Sequence, residues 1–115
     1  MHIAFCLITK GDSELHKVKR CVESVSKYVD SIHIQANDTK GKVNDTKRWC
    51  KENKYDFAYR KWSDSFAEAR NTNWQMVPKY TDFIFWLDSD DVLVGGEYLR
   101  KIAEQSKTRN LDAVF

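Results

Sequence analysis

The chain has 115 residues, of which 42% are hydrophobic, 31% are charged and only one is proline. This composition excludes collagen-like, low-complexity and disordered chains, and the length suits a single domain over residues 1–115. A net charge of +2, from 19 basic and 17 acidic residues, is too balanced for a nucleic-acid-binding protein, so we expect no nucleic-acid partner.

The cysteines and the apolar runs indicate the compartment. No run approaches the roughly 20 apolar residues of a membrane helix, and the first residues, MHIAFCLITKGD, lack the basic leader and cleavage site of a signal peptide. Cys6, Cys21 and Cys50 match no metal or redox spacing. We therefore expect reduced thiols in the core of a cytoplasmic protein that has no membrane span.

The first third of the chain predicts a strand, a helix and a second strand. Residues 2–8, HIAFCLI, form an almost unbroken apolar run, which is typical of a strand covered on both faces. After a polar turn, hydrophobic residues recur at intervals of three and four from Leu15 to Val29, and this spacing predicts a helix. Residues 31–36, SIHIQA, alternate and predict the second strand.

A polar stretch, NDTKGKVND, then predicts a loop before a helix over residues 44–53, for which Asn44 is a candidate cap. Residues 56–60 predict a short third strand. Ser65 and Glu68 match the capping box of a further helix, which we expect to end near Pro78. Its predicted inward face includes Phe66, Ala69, Asn73 and Trp74, with Trp62 as a hydrophobic staple before it.

Residues 82–87, DFIFWL, predict a fourth strand with Trp86 in the core, and a helix is expected near residues 97–107. The last residues, DAVF, resemble the opening of a fifth strand. Strands and helices therefore alternate, which predicts an α/β fold: a three-layer sandwich with a mainly parallel, Rossmann-like sheet. Because the chain stops as the fifth strand begins, we expect it to be the first half of a longer domain.

The sharpest chemical feature is the acidic cluster Asp88, Asp90 and Asp91, directly after the fourth strand. In open parallel sheets, ligands bind beyond the carboxyl ends of the strands. Two like charges 4 Å apart repel by about 4 kcal/mol at an effective dielectric near 20. Such a cluster needs water, a raised pKa or a cation, and Mg²⁺ and Mn²⁺ prefer carboxylate oxygens. The alternative is a solvated acidic turn whose aspartates cap the next helix.

Two further residues are candidates for ligand contact. Arg70 lies on the early turns of the capped helix and carries a permanent charge on a planar fork, which suits a phosphate or a base edge. A pairing of Arg70 with Asp64 or Glu68 is the alternative. Thr9 ends the first strand, where its hydroxyl would either meet a ligand or play a structural role.

Taken together, these segments resemble the N-terminal, nucleotide-sugar-binding half of family 2 glycosyltransferases with the GT-A fold. The resemblance rests on five stretches in the family's order, which cover nearly all of the chain: IAFCLITKGD, KRCVESVSKYVDSIHIQ, NDT, WSDSFAEARN and DFIFWLDSDDVL. The DSDD stretch alone is weak evidence, but its combination with the ARN segment and the CVESV helix is fairly specific.

The resemblance implies a set of donor-binding residues. Asp88 and Asp90 match the family's DxD motif, with Asp91 beside it, and this motif contacts the ribose and the divalent metal, Mn²⁺ or Mg²⁺, that holds the diphosphate of a nucleotide sugar. Thr9 matches a position in the nucleobase pocket, and Arg70 one that reaches the base or the phosphates. The family usually ends its second strand with an aspartate; here Ala36 stands there, so either Asp38 takes that role or base recognition is altered.

The activity implied by the resemblance is transfer of a sugar, most often from a UDP-sugar, to a glycan, lipid or protein acceptor with inversion. A metal neutralises the leaving diphosphate, and a general base activates the acceptor hydroxyl. In the family that base comes from the second half of the domain. We therefore expect no catalytic base within residues 1–115, and an isolated chain that binds donor without completing transfer.

Two other functions fit parts of the sequence. One is a non-catalytic module, either a degenerate nucleotide binder or a homo-oligomer paired through its sheet edge. The other is a haloacid-dehalogenase-like phosphatase in which Asp88 attacks a phosphate, although little chain remains after Val92 for that family's downstream lysine and acidic pair. The glycosyltransferase interpretation requires Asp88 and Asp90 to face a cleft, without being locked in ion pairs with lysine or arginine.

Overall fold

The computed structural model describes residues 1–108. Over that range the helices and strands are β1 (Ile3–Thr9), α1 (Leu15–Val25), β2 (Ser31–Ala36), α2 (Asn44–Glu52), β3 (Asp56–Tyr59), α3 (Phe66–Trp74), β4 (Phe83–Trp86) and α4 (Leu99–Thr108). Single 3₁₀ turns lie at Asp12–Glu14, Ser26–Tyr28 and Gly96–Tyr98. The predicted order of elements is confirmed, while the predicted fifth strand at residues 112–115 lies outside the described residues.

The four strands form one parallel sheet in the order β3-β2-β1-β4. β1 is central: Phe5 lies opposite Ile32 of β2 and opposite Phe85 of β4. This position explains the unbroken apolar run of β1, because both faces of a central parallel strand are covered. The chain runs outward from β1 to β3 and then returns to the other side of β1, so its direction reverses between β1 and β4.

One face of the sheet is covered by α1, α2 and α4 through apolar contacts. The buried side chains of this cluster alternate along the strands and recur at helical spacing, as the sequence predicts. A valine, leucine, isoleucine or phenylalanine side chain contributes about 1.5–3 kcal/mol when fully buried. They include Phe5, Leu7 and Ile34 of the sheet, and Val18, Val22, Val25, Cys50, Leu99 and Ala103 of the helices.

The opposite face is covered by α3, and its closest contacts are polar. Gln35 Nε2 donates to the carbonyl oxygen of Ala69 (2.9 Å), and Thr72 Oγ1 donates to Gln35 Oε1 (2.9 Å). Asn73 Nδ2 donates to the carbonyl oxygen of His33 (3.2 Å). Ala69 and Asn73 are buried, as predicted. Helices on both faces make the three-layer α/β sandwich that the sequence predicts.

Two aromatic side chains do not lie where the sequence places them. Phe66, predicted to face inward, is 70% exposed, because it is the first residue of α3 and packs against Trp62 before the helix (ring centroids 4.8 Å apart). Trp86, predicted as core, is only half-buried. Its ring lies on the α3 face, where the Arg70 guanidinium carbon is 3.6 Å from the ring centroid.

The cap of α2 comes from a distant residue, so the prediction that Asn44 caps this helix is wrong. Asn44 is the first helical residue, one position past the cap. Asp12 Oδ1 instead accepts hydrogen bonds from the amide and the hydroxyl of Thr46 (both 2.8 Å), and Asp12 Oδ2 accepts from the amide of Asp45 (3.2 Å). Burial raises the pKa of Asp12, but these hydrogen bonds outweigh it and bring the pKa below its ordinary value.

The loop that carries Asp12 packs closely against the start of α2. Gly11 has φ 136°, and a Cβ there would lie 2.8 Å from the carbonyl oxygen of Lys42. Only glycine combines that backbone angle with so close an approach. The glycine therefore brings the loop after β1 against the loop after β2, which sets the distance between two walls of the site described below.

All three cysteines are free and buried, as predicted. Burial raises the pKa of Cys6, Cys21 and Cys50 to about 12 each, so the thiols stay protonated and unreactive at neutral pH. Within residues 1–108, none of the helices combines the length and the apolar character that crossing a membrane demands.

Candidate functional site at the carboxyl ends of the strands

A cleft of ≈ 640 Å³ opens at the carboxyl ends of β1, β2 and β4. Its volume lies in the range of small-molecule sites, about 300–1,000 Å³. The reversal between β1 and β4 is the place where open α/β sheets bind ligands. The cleft is lined by residues 8–10, 37–39 and 88–90, together with Glu14, Trp62 and Phe66.

The acidic residues after β4 divide into two roles. Asp88 and Asp90 line the cleft. Asp91 stabilises the turn instead, because its Oδ2 accepts from the amide of Asp88 (3.4 Å) and its own amide donates to the carbonyl oxygen of Asp88 (3.0 Å). The sequence therefore places three carboxylates together, but the structure turns two of them toward the cleft.

Both cleft carboxylates have a basic neighbour. Lys17 Nζ lies 3.1 Å from Asp90 Oδ1, and Arg70 Nη2 lies 3.8 Å from Asp88 Oδ1. The Asp88 and Asp90 side chains nevertheless remain 66% and 69% exposed. Exposed pairs of this kind contribute at most about 1 kcal/mol. The carboxylates are therefore paired but not locked, and a divalent cation can compete for them.

Arg70 is positioned by the sheet rather than by its own helix. Its predicted alternative partners were Asp64 and Glu68, but the guanidinium instead lies over the ring of Trp86 and beside Asp88. Because α3 covers the face of the sheet to which Trp86 belongs, the planar fork stacks on the indole and points toward the end of β4. The structure thus brings the predicted residues Arg70 and Asp88 together.

Thr9 lies at the end of β1 and lines the cleft, but its hydroxyl is already engaged. Thr9 Oγ1 donates to Glu14 Oε1 (2.9 Å). Glu14 Oε1 also accepts from the amide of Lys10 (2.8 Å). The threonine is also buried. These contacts favour the structural role for Thr9, which is to hold the loop after β1 in shape.

Asp38 also lines the cleft and holds its own loop. Asp38 Oδ2 accepts from the amides of Lys40 (3.0 Å) and Lys42 (2.8 Å), and the Asp38 carbonyl accepts from the hydroxyl of Tyr59 (2.7 Å). The methyl group of Ala36 is fully buried at the end of β2. The β2 end therefore presents the cleft with a carboxylate that is already bonded to backbone amides.

The architecture is similar to that of a solved glycosyltransferase. Over 96% of this chain, the fold matches the crystal structure of residues 1–349 of TarS from S. aureus, with a TM-score of 0.62 and 14% sequence identity. The chain spans about a third of that structure, since the match covers 33% of it. No family model and no curated protein sequence matches the chain. At this identity the likeness shows the fold alone.

The described residues suit a cation that is shared with a ligand rather than a closed metal cage. Within residues 1–108, no three His, Cys, Asp or Glu side chains are grouped so that they could hold a metal ion. The predicted set of Asp88, Asp90 and Asp91 is thus not gathered around one point. Mg²⁺, however, is commonly held by one or two carboxylates together with substrate phosphates. Asp88 and Asp90 fit that arrangement, since both are exposed oxygen donors on the cleft wall.

Several residues that line the cleft, or that pair with a residue lining it, were not predicted as site residues. Lys10 and Glu14 follow β1, Lys17 pairs with Asp90, and Trp62 and Phe66 form an aromatic wall. Lys10 and Glu14 could have been predicted as site residues, because they follow β1 at the end of the sheet where ligands bind. Lys17 carried no signal, because it looks like any lysine on the exposed face of a helix.

A second polar cluster lies at the amino-terminal edge of the sheet, away from the cleft. His33 Nδ1 is 2.9 Å from Asp56 Oδ2, and the Ser31 hydroxyl is 2.7 Å from His33 Nε2 and 2.9 Å from His2 Nε2. In the sequence His2, Ser31, His33 and Asp56 are dispersed and form no recognisable motif. Parallel pairing, which sets His33 opposite Asp56, brings them into one hydrogen-bonded row.

Proposed function

We propose that this chain is the donor-binding part of a glycosyltransferase of the family 2 type. In this proposal Asp88 and Asp90 hold a divalent cation, Mn²⁺ or Mg²⁺, that binds the diphosphate of a nucleotide sugar such as a UDP-sugar. The observation that carries the proposal is the pair of exposed carboxylates on the wall of the cleft between β1 and β4. The fold, similar to that of a glycosyltransferase, supports it.

The basic residues beside the carboxylates fit the same ligand. When bound, the cation neutralises charge on the leaving diphosphate. Arg70 and Lys17 each carry a positive charge next to one carboxylate, within reach of a phosphate bound there. Stacking on Trp86 limits the freedom of the Arg70 guanidinium, so less entropy is lost when it binds an anion.

Sugar transfer itself is proposed for the whole protein, because the chain spans about a third of the TarS structure that it resembles. Transfer needs an acceptor site and a general base for the acceptor hydroxyl. We assign neither role to any of residues 1–108. The expected activity of these residues alone is binding of the donor nucleotide.

The proposal is tested by thermal unfolding with Mn²⁺ alone, UDP alone and both together. UDP with Mn²⁺, at a concentration ten times its dissociation constant, is expected to raise the Tm by roughly 5–10 °C, while either alone gives little. Asp90→Ala should abolish the shift. The matched control is Asp45→Ala, since Asp45 is an exposed aspartate on α2 that pairs with Arg48 of the same helix.

A second candidate, a nucleotide binder that needs no metal, is favoured by one observation. Lys17 and Arg70 already place a positive charge beside each cleft carboxylate. If the same UDP shift occurs without Mn²⁺ and survives Asp90→Ala, this second function replaces the first. If no nucleotide shifts the Tm under any condition, both are wrong.

A further inference from the structure

The wall of the cleft formed by Trp62 and Phe66 has no role in the metal–diphosphate site. Phe66 is 70% exposed, although a phenylalanine ring is among the most apolar side chains of the molecule. The two rings meet edge to face, with centroids 4.8 Å apart and planes at 69°. An exposed aromatic surface that lines a cleft, rather than being scattered on the outside, marks a place where a ligand packs.

Both rings are held by their surroundings. Trp62 Nε1 donates to Asp64 Oδ1 (3.1 Å), and the Trp62 amide donates to the carbonyl oxygen of Asn37 (3.1 Å). Phe66 begins α3, whose cap Ser65 accepts from the amide of Glu68 (3.1 Å). The wall is therefore largely preformed, and a ligand that packs on it loses little free energy to ordering it.

The distance between the aromatic wall and the carboxylates matches the length of a nucleoside diphosphate. The Asn37 bond ties Trp62 to the end of β2, whereas Asp88 follows β4, and β1 lies between these two strands. Two strand spacings amount to about 10 Å. An extended nucleoside diphosphate spans such a distance, with its phosphates at one end and its base at the other.

Several polar groups between the wall and the carboxylates already form hydrogen bonds within the protein, which leaves fewer of them to recognise the edge of a base. Asp38 Oδ2 accepts two amides of its own loop. Asn37 Nδ2 donates to the carbonyl oxygen of Arg60 (2.7 Å), and Asn37 Oδ1 faces Gln35 Nε2 (3.4 Å). Ala36 offers no polar group. Stacking on an aromatic ring, in contrast, accepts any base, because every base has a π-face.

We infer that Trp62 and Phe66 bind the nucleobase by its face, so that the cleft takes nucleoside diphosphates with little preference among bases. The inference rests on the proposed function and deepens it, since it names how the donor nucleotide is recognised. It also accounts for Ala36 at the position where the resembling family has an aspartate.

Isothermal titration calorimetry with Mn²⁺ and four ligands tests the inference: UDP, CDP, ADP and inorganic pyrophosphate. The three nucleotides should bind within about fivefold of one another and more tightly than pyrophosphate. Phe66→Ala and Trp62→Leu should each weaken the nucleotides by about tenfold, which is about 1.4 kcal/mol, and leave pyrophosphate unchanged. Tyr80→Ala is the matched control, since Tyr80 is 71% exposed and contacts the His2 ring at the opposite edge of the sheet.

The outcomes distinguish failure of base recognition by the aromatic wall from failure of the metal–diphosphate site. Loss of pyrophosphate binding together with nucleotide binding in Phe66→Ala, which should stay folded because the ring is exposed, would mean that the wall is only structural. A preference above 100-fold for one base, or no change in Phe66→Ala, overturns face recognition and leaves the metal–diphosphate site standing. If wild-type protein binds neither pyrophosphate nor any nucleotide, the proposed function and this inference both fail.

Discussion

The two faces of the sheet are held by different kinds of contact. On the side of α1, α2 and α4, fully buried apolar side chains pack together, and such packing tolerates small shifts because it has no direction. On the side of α3, hydrogen bonds from Gln35, Thr72 and Asn73 fix the helix, and these bonds demand specific distances and angles. The apolar face therefore supplies most of the stability, while the polar face fixes the helix that carries Arg70 and Phe66.

The largest expected effect comes from the apolar face. Phe5→Ala removes a fully buried ring that packs against Phe85, and we expect it to lower the free energy of unfolding by about 3–5 kcal/mol. The exposed Phe66→Ala should change it by less than about 0.5 kcal/mol. Urea denaturation measures both. Equal losses in the two variants would contradict the assignment of Phe66 to the cleft surface.

A substitution on the polar face should lower the free energy of unfolding less than Phe5→Ala does, but should weaken nucleotide binding more. Gln35→Ala removes the two hydrogen bonds that a fully buried amide makes with the Ala69 carbonyl and the Thr72 hydroxyl of α3, which costs about 1–3 kcal/mol. It also loosens α3, so we expect weaker UDP binding with Mn²⁺, whereas Phe5→Ala should leave the affinity of the folded protein unchanged. The control is Gln75→Ala at the exposed end of α3. If Gln35→Ala binds UDP like the wild type, the polar face does not position the site.

The apolar side of the sheet also contains a polar contact, the cap that Asp12 provides for α2, and its contribution to stability should depend on pH. Asp12→Ala should cost about 0.5–2 kcal/mol at pH 7, compared with little for the exposed Asp45→Ala. Because the pKa of Asp12 is lowered in the folded protein, its contribution is complete above the unfolded value near 3.9 and disappears as the pH falls through the folded value. Urea denaturation at pH 7 and pH 3 should show the difference shrinking at low pH. A difference that stays constant would rule out the charged carboxylate as the cap.

The smallest expected effect is the stacking of Arg70 on Trp86. A double-mutant cycle with Arg70→Met and Trp86→Leu should give a coupling free energy of about 0.5–1 kcal/mol in urea denaturation. The looser contact of Lys27 with Tyr28, at 5.2 Å, serves as a reference and should couple more weakly. A coupling of zero for Arg70 and Trp86 would mean that the indole does not position the guanidinium.

Local sequence pattern predicted much of the fold because it acts at short range. The apolar run of β1 and the spacing of Val18, Val22 and Val25 each follow from a period that a strand or a helix imposes. The same reasoning located Asp88 and Asp90 at the end of a strand. It misplaced Phe66 and Asn44, because a one-residue difference in where a helix begins decides whether a side chain faces the core or caps the helix.

By itself, the sequence determined the alternation of strands and helices, the parallel sheet, the buried thiols and the acidic residues at a strand end. Only the tertiary structure decided that Asp12 caps α2, that Lys17 reaches Asp90, and that Arg70 stacks on Trp86. The physical reason is distance along the chain. Periodicity and capping patterns concern residues within a few positions, whereas these contacts join residues that the order β3-β2-β1-β4 brings together.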